Sequence, residues 1–251
     1  MPLPNVYRVP NVPLAYEYLP GQGPVVVFCP GYGSDMQGTK ALALEELCRS
    51  TERAMLRFDY AGHGQSGGRF TEGTIGSWMA DAAHMIGEIV PDQDILLVGS
   101  SMGGWIALLL ARTLGVRVKG LLLIAPAPDF TERLIRPQLT AAQLDALAQN
   151  GVIHQPSDYG EPQALSRVLL DDGKAHLLLD DEIPITCPVH ILHGMNDADV
   201  PWKMSLTLVE KLASSAVRLT YVKDGDHRLS RPEDLRLLES TLIALLGQNG
   251  A

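Results

Sequence analysis

The chain has 251 residues, 46% of them hydrophobic, and a formal net charge of −9. That is enough apolar material for one α/β domain with a substantial core. The acidic balance, with no Lys/Arg cluster, excludes nucleic acid as a general partner and reads as a charge for solubility. No apolar run approaches the ~20 residues that span a bilayer. The three cysteines, Cys29, Cys48 and Cys187, form no CxxC pair, disulfide framework or zinc spacing. Met1 to Pro10 carries one Arg and three Pro and fits neither a secretory signal nor a transit peptide. These features predict a cytoplasmic protein.

In chain order, short apolar runs alternate with helical segments, the pattern of a mostly parallel sheet with helices on both faces. Val25 to Cys29 is a buried strand, Gly38 to Ser50 a helix and Ala54 to Asp59 the next strand. A Gly-rich loop, Ala61 to Gly68, leads to a helix from Thr74 to Ile89. Asp94 to Gly99 is a strand and Met102 to Leu114 a helix, followed by the strand Val118 to Ala125. Val189 to His193 and Val217 to Val222 are two more strands, separated by a helix from Trp202 to Ala213. A last helix covers Pro232 to Leu246. Between them, 126–184 breaks the rhythm. It holds helix-compatible pieces, Ala141 to Ala148 and Gln163 to Leu170, and no clear sheet strand. So long an excursion from a sheet reads as functional. The expected organisation is a core of 1–125 and 185–251 with a small helical cap at 126–184, the alternative being a peripheral decoration.

Gly99-Ser100-Ser101-Met102-Gly103 matches G-x-S-x-G, and so does Gly64-Gln65-Ser66-Gly67-Gly68. Context separates the two. The motif works as a nucleophile only on a sharp strand-to-helix turn that exposes the serine oxygen. An apolar strand precedes Ser101 and a helix-forming run follows it, whereas Ser66 has loop on both sides. Gly99 and Gly103 allow the close backbone approach that such a turn needs. A base and an acid should follow in the order Ser, Asp or Glu, His. Of the seven histidines, His227 alone lies beyond the candidate acid. It sits in a turn-rich loop at the carboxyl end of a strand, where sites of parallel sheets form. The acid lies in His193-Gly194-Met195-Asn196-Asp197-Ala198-Asp199-Val200-Pro201. Asp197 and Asp199 compete; the H-G-x-x-D-x-x-V-P spacing selects Asp197 and leaves Asp199 to cap the helix near Trp202. Asp226, which adjoins the base, either modulates it or is a turn residue, and His193 reads as a shaper of its turn and not a ligand. Two backbone N–H groups should stabilise a tetrahedral oxyanion: Met102, after the nucleophile, and Tyr32, in the loop Pro30-Gly31-Tyr32-Gly33. This chemistry requires no cofactor, and no His/Asp group has metal spacing.

These elements, in this order, resemble the α/β-hydrolase superfamily over nearly the whole chain. Asp59-Tyr60-Ala61-Gly62-His63-Gly64-Gln65-Ser66 is similar to the family's D-x-x-G-H-G-x-S loop, structural there. Four strings resemble the palmitoyl-protein thioesterase / acyl-glucuronide esterase branch: Pro30 through Lys40, Gly99 through Trp105, His193 through Asp197 with Val200-Pro201-Trp202, and Asp226-His227-Arg228. The resemblance implies hydrolysis of esters or acyl thioesters with a sizeable acyl group, on a small-molecule or acylated-protein substrate.

Three functions are expected in order. The first is an acyl esterase or thioesterase. Leu134, Ile135, Leu139, Leu144 and Leu147 would form either an apolar acyl site or the cap's own core, and Arg133, Arg136 and Arg167 either meet an anionic substrate group or are solvated. The second is carbon–carbon or peptide bond hydrolysis on the same triad. The third is a hydrolase fold kept only for binding.

Overall fold

The computed structural model describes residues 5–9, 12–157 and 160–247. The reading of Met1 to Pro10 thus falls partly, at 1–4 and 10, outside the described residues. The elements in chain order begin with β1 (Asn5–Val9), β2 (Val12–Leu19), β3 (Gln22–Cys29), α1 (Thr39–Ser50) and β4 (Arg53–Phe58). Then come α2 (Ile75–Ile89), β5 (Ile95–Ser100), α3 (Met102–Leu114) and β6 (Val118–Ile124). The excursion holds α4 (Ala141–Asn150), β7 (Val152–Ser157), β8 (Gly160–Ser166) and α5 (Arg167–Gly173). The sheet resumes with β9 (Val189–Gly194), α6 (Lys203–Lys211), β10 (Val217–Val222) and α7 (Pro232–Gly247).

Eight strands form one sheet in the order β1-β2-β4-β3-β5-β6-β9-β10. From β4 to β10 the neighbours run parallel, and β2 is antiparallel to both β1 and β4. Because side chains alternate along a strand, the central strands feed two cores. Val25, Val27, Ile95, Leu97, Leu121, Leu123 and Ile191 face α2, α3 and α6. Val26, Phe28, Leu96, Val98, Leu122 and Ile124 face α1 and α7. Burial on both sides makes the central strands continuous apolar runs.

Two sets of strands were not expected. β1 and β2 form the outer edge, where Tyr16, Glu17 and Tyr18 are only half-buried and the apolar signal is diluted. The second set is the antiparallel hairpin β7–β8 inside the excursion, so the insertion is not purely helical. Gly151 ends α4 in the left-handed conformation at φ 75° and turns the chain into β7. The helix expected from Gln163 begins only at Arg167, where the Ser166 hydroxyl caps it by accepting the Leu169 N–H at 3.2 Å. Pro156 and Pro162, which argue against a strand, are tolerated because a two-stranded hairpin has free edges.

The excursion is closed at its base by Asp129, which is fully buried. Its carboxylate accepts the N–H groups of Leu178 and Leu179 at 2.8 and 2.9 Å and pairs with Arg133 at 3.1 Å. Among the described residues no helix is long and apolar enough to cross a membrane.

Between β5 and α3 the packing admits no side chain beyond hydrogen. A Cβ on Gly103 would lie 2.0 Å from the Cys29 carbonyl oxygen, and one on Gly99 would lie 2.3 Å from the Gly103 carbonyl oxygen. Gly103→Ala is therefore expected to cost at least about 3 kcal/mol in urea unfolding. Gly87 in α2 faces open space, so Gly87→Ala should be neutral or stabilise by up to about 1 kcal/mol. Equal effects of the two substitutions would contradict this account of the packing.

Candidate active site

Ser101 stands between β5 and α3 at φ 55°, ψ −120°, a conformation unusual for a residue with a Cβ. Its backbone is held from three directions. The Ser101 N–H donates to Ile124 O at 2.9 Å, and its carbonyl accepts from Gly104 and Ala127 at 2.9 and 3.1 Å. Loops from two later strands come to the same sheet edge. A Cβ on Gly194 would lie 2.3 Å from Gly225 O, and Asn196 N–H donates to that same carbonyl at 2.9 Å. This contact stitches the loop after β9 to the loop after β10 and brings Asp197 to His227.

The geometry is continuous. The Ser101 hydroxyl donates to His227 Nε2 at 3.0 Å, and His227 Nδ1–H donates to Asp197 Oδ2 at 2.7 Å. The His227 side chain is 15% exposed and that of Asp197 is fully buried, so the carboxylate acts where charge is weakly screened. Oδ1 of Asp197 accepts the N–H groups of Asp199 and Val200 at 2.9 and 2.7 Å. Burial works against the charged carboxylate; the hydrogen bonds from His193 and His227, the His227 charge and the Val200 N–H outweigh it and hold the group below the ordinary value of 3.8. The structure thus brings together the three side chains singled out in the sequence, and Asp197 rather than Asp199 meets His227.

The two expected N–H donors flank the serine. Met102 is the first residue of α3, where an N–H has no intrahelical acceptor. Tyr32 lines the same cavity as Ser101 and His227. Its loop neighbours are committed elsewhere: Gly33 N–H donates to His63 Nε2 at 3.3 Å and Ser34 N–H to Gly31 O at 3.0 Å. Burial pushes His63 down to about 4, which keeps its ring an acceptor at neutral pH. The Tyr32 hydroxyl donates to Ala164 O in β8 at 2.5 Å, tying this loop to the hairpin.

The cavity has a volume of about 550 Å³, and the excursion lines it with the apolar Phe130, Leu134, Ile135 and Leu165 and with the amides of Gln138, Gln155 and Gln163. Of the five apolar residues considered for an acyl site, Leu134 and Ile135 line it, Leu139 and Leu147 are buried in the core, and Leu144 is 40% exposed. The arginines do not line it. Arg133 pairs with Asp129 and Asp180, Arg136 pairs with Glu132 at 2.8 Å, and Arg167 is exposed.

Other side chains settle as structure. The Ser66 hydroxyl donates to Asp59 O at 2.7 Å and accepts from Ala15 N–H at 2.8 Å, so it braces a loop. Asp226 accepts from Leu229 N–H at 2.9 Å. Asp199 does not cap α6, which starts at Lys203 without a side-chain cap. Against the expectation of no metal spacing, ligand atoms of Asp197, Asp199 and His227 lie within 4.8 Å of one another; the His227 and Asp197 atoms are already bonded to each other, and no ligand role is assigned to them. The sequence reading gave Lys40 no site role and took His193 only as a shaper of its turn. Lys40 lines the cavity and its ammonium donates to Arg228 O, holding the loop that carries His227. His193 is fully buried and donates from Nε2 to Asp197 Oδ2 at 3.1 Å. Its signal was a polar ring ending an apolar strand.

Comparison with known proteins adds family information. Residues 22–168 match the Hydrolase_4 family, described as serine aminopeptidase, S33. The chain is 38% identical over 240 residues to the protein of Homo sapiens named palmitoyl-protein thioesterase ABHD10, mitochondrial, covering 94% of this chain and 78% of that one. Among solved structures, a putative hydrolase from Agrobacterium vitis S4 is 44% identical with a TM-score of 0.91, covering 96% of each chain. Alpha/beta hydrolase domain-containing protein 10 from mouse is 35% identical with a TM-score of 0.88, covering 98% of each.

A depressed carboxylate contributes stability that is full above its unfolded value and is lost as pH falls through the folded one. Asp197→Asn should therefore lower stability at pH 7 by about 1–3 kcal/mol, and the gap to wild type should begin to narrow below roughly pH 5 and go on narrowing as the pH falls further. Urea titrations across that range check this. A gap independent of pH would contradict it.

Proposed function

The chain belongs to the Hydrolase_4 family and is an ester or thioester hydrolase of the α/β-hydrolase fold, and from that premise we propose that it works through an acyl-enzyme on Ser101. The supporting observation is the unbroken run from the Ser101 hydroxyl through His227 to buried Asp197, with Ser101 and His227 lining a cavity to which the excursion adds four apolar side chains. In this reading the 126–184 segment is the cap, and Phe130, Leu134, Ile135 and Leu165 receive the acyl group.

The Ser101 oxygen attacks the acyl carbon while His227 Nε2 takes its proton, and Asp197 holds the imidazole in the tautomer that leaves Nε2 free to accept. The negative oxygen of the tetrahedral adduct turns toward the N–H groups of Met102 and Tyr32; one such donor is worth roughly 3–4 kcal/mol of barrier. The bond to the leaving thiolate or alkoxide breaks as His227 returns the proton to it. Water then attacks the acyl-serine, giving its proton to His227, and Ser101 recovers a proton as the acid departs. The chain's own residues supply each of these roles. Three free thiols, two of them buried, suit a reducing compartment such as the cytoplasm.

A second reading, removal of an N-terminal amino acid, is favoured by the family's description. The same assays separate the two. Wild type should hydrolyse p-nitrophenyl esters and acyl thioesters, Ser101→Ala should lose at least about 10⁴-fold of that turnover, and Leu134→Trp should move the preferred acyl chain toward shorter lengths. Equal turnover by Ser101→Ala removes the proposal. Turnover of aminoacyl arylamides without turnover of esters installs the second reading.

A further inference from the structure

A second imidazole reaches the acid of the triad. His193 lies in β9 with no exposed surface, and its Nε2 is 3.1 Å from both Asp197 Oδ2 and Val200 O. Both of those atoms accept, so Nε2 carries the proton. Nδ1 must then accept, and the Ser205 hydroxyl, buried in the first turn of α6, donates to it at 2.6 Å. The chain of donors runs Ser205, His193, Asp197 from one side and Ser101, His227, Asp197 from the other, so Oδ2 takes two imidazole N–H groups.

Resting on the reading of Ser101, His227 and Asp197 as a catalytic triad, we propose that His193, with its tautomer fixed by the two acceptors Asp197 Oδ2 and Val200 O, is a positioning residue that acts through Asp197 on His227. Two consequences follow from charge and geometry. The His193 N–H occupies one side of Oδ2, so the remaining lone pair is aimed at His227 and the carboxylate cannot rotate away. It also draws off part of the charge on Oδ2 and so limits how strongly that oxygen favours the imidazolium of His227. The other tautomer would set a lone pair of His193 against Asp197 Oδ2 and Val200 O, so these two acceptors select the proton on Nε2, while the Ser205 hydroxyl, able to donate or accept, completes the buried ring's hydrogen bonds. The titratable and charged groups around this network are Asp197 and Asp199 on the acid loop, His227 on the base loop and Tyr221, whose residue pairs with His193 in β10 and whose hydroxyl donates to Trp202 O at 3.2 Å.

The test follows the ring nitrogens by NMR, which needs no turnover, in the full-length chain. Wild type and Ser205→Ala should both show His193 protonated on Nε2. In His193→Phe the titration midpoint of the His227 ring should move up by about half a pH unit or more. In His193→Gln, whose amide retains a donor toward Asp197, it should stay near wild type. The acid limb of kcat/KM on a p-nitrophenyl ester should move with the ring midpoint, with kcat lowered about tenfold in His193→Phe. An unchanged or lowered His227 midpoint in His193→Phe, or His193 protonated on Nδ1 in wild type, overturns the proposal. Should His193→Phe not fold, the His227 midpoint in His193→Leu and the wild-type tautomer decide. NMR shifts as expected in a protein that turns over no ester would instead remove the esterase reading and leave the positioning role standing.

Discussion

The site depends on a bend that the backbone resists. Ser101 sits at φ 55°, and such strained residues cost roughly 1–3 kcal/mol and persist only where the surroundings over-determine them. Here three backbone hydrogen bonds hold it, from Ile124, Gly104 and Ala127, and the first turn of α3 lies against the ends of β3 and β5 with no room for a Cβ at Gly99 or Gly103. The hydroxyl is raised above the sheet edge because the polypeptide has no other way to pass from β5 into α3.

Once that oxygen is placed, parallel topology does the rest. The loops after β3, β5, β9 and β10 all leave from one edge of the sheet, so residues far apart in the chain meet there. The contact of Gly194 with the Gly225 carbonyl sets the distance between the acid loop and the base loop. Asp197 then receives four N–H groups, two from imidazoles and two from the backbone. Those donors keep it ionised despite its burial. The hairpin lies over the Tyr32 loop, with the Tyr32 hydroxyl bonded to Ala164 and the Gln163 amide donating to Tyr32 O at 3.4 Å. The hairpin that lines the cavity is thereby joined to the loop that carries Tyr32.

The parts of this arrangement that were legible in the sequence are those set by local pattern or chain order. The central strands read clearly because they are buried on both faces, and Ser101 was separated from Ser66 by the strand and helix on either side. His227 followed from order alone. The edge strands β1 and β2 were missed because half-buried Tyr16 and Tyr18 dilute the apolar signal of β2 and β1 is only five residues long, and the hairpin because Pro156 and Pro162 read as breakers. The parts of the site set by tertiary distance were not legible. His193 meets Asp197 and Ser205 only once β9 and α6 pack, and Lys40 meets Arg228 across 188 positions. Arg133 and Arg136 were a different kind of miss. Their acidic partners Asp129 and Glu132 stand four residues earlier, a helical spacing visible in the sequence that already marked them as ion-paired.

The most direct measurement treats the protein with a fluorophosphonate and follows site occupancy by peptide mass spectrometry beside residual ester turnover. The account predicts one phosphonate per chain, on Ser101, with turnover falling in proportion to its occupancy. Label on Ser66 or another residue, or turnover that persists with Ser101 fully modified, would contradict it.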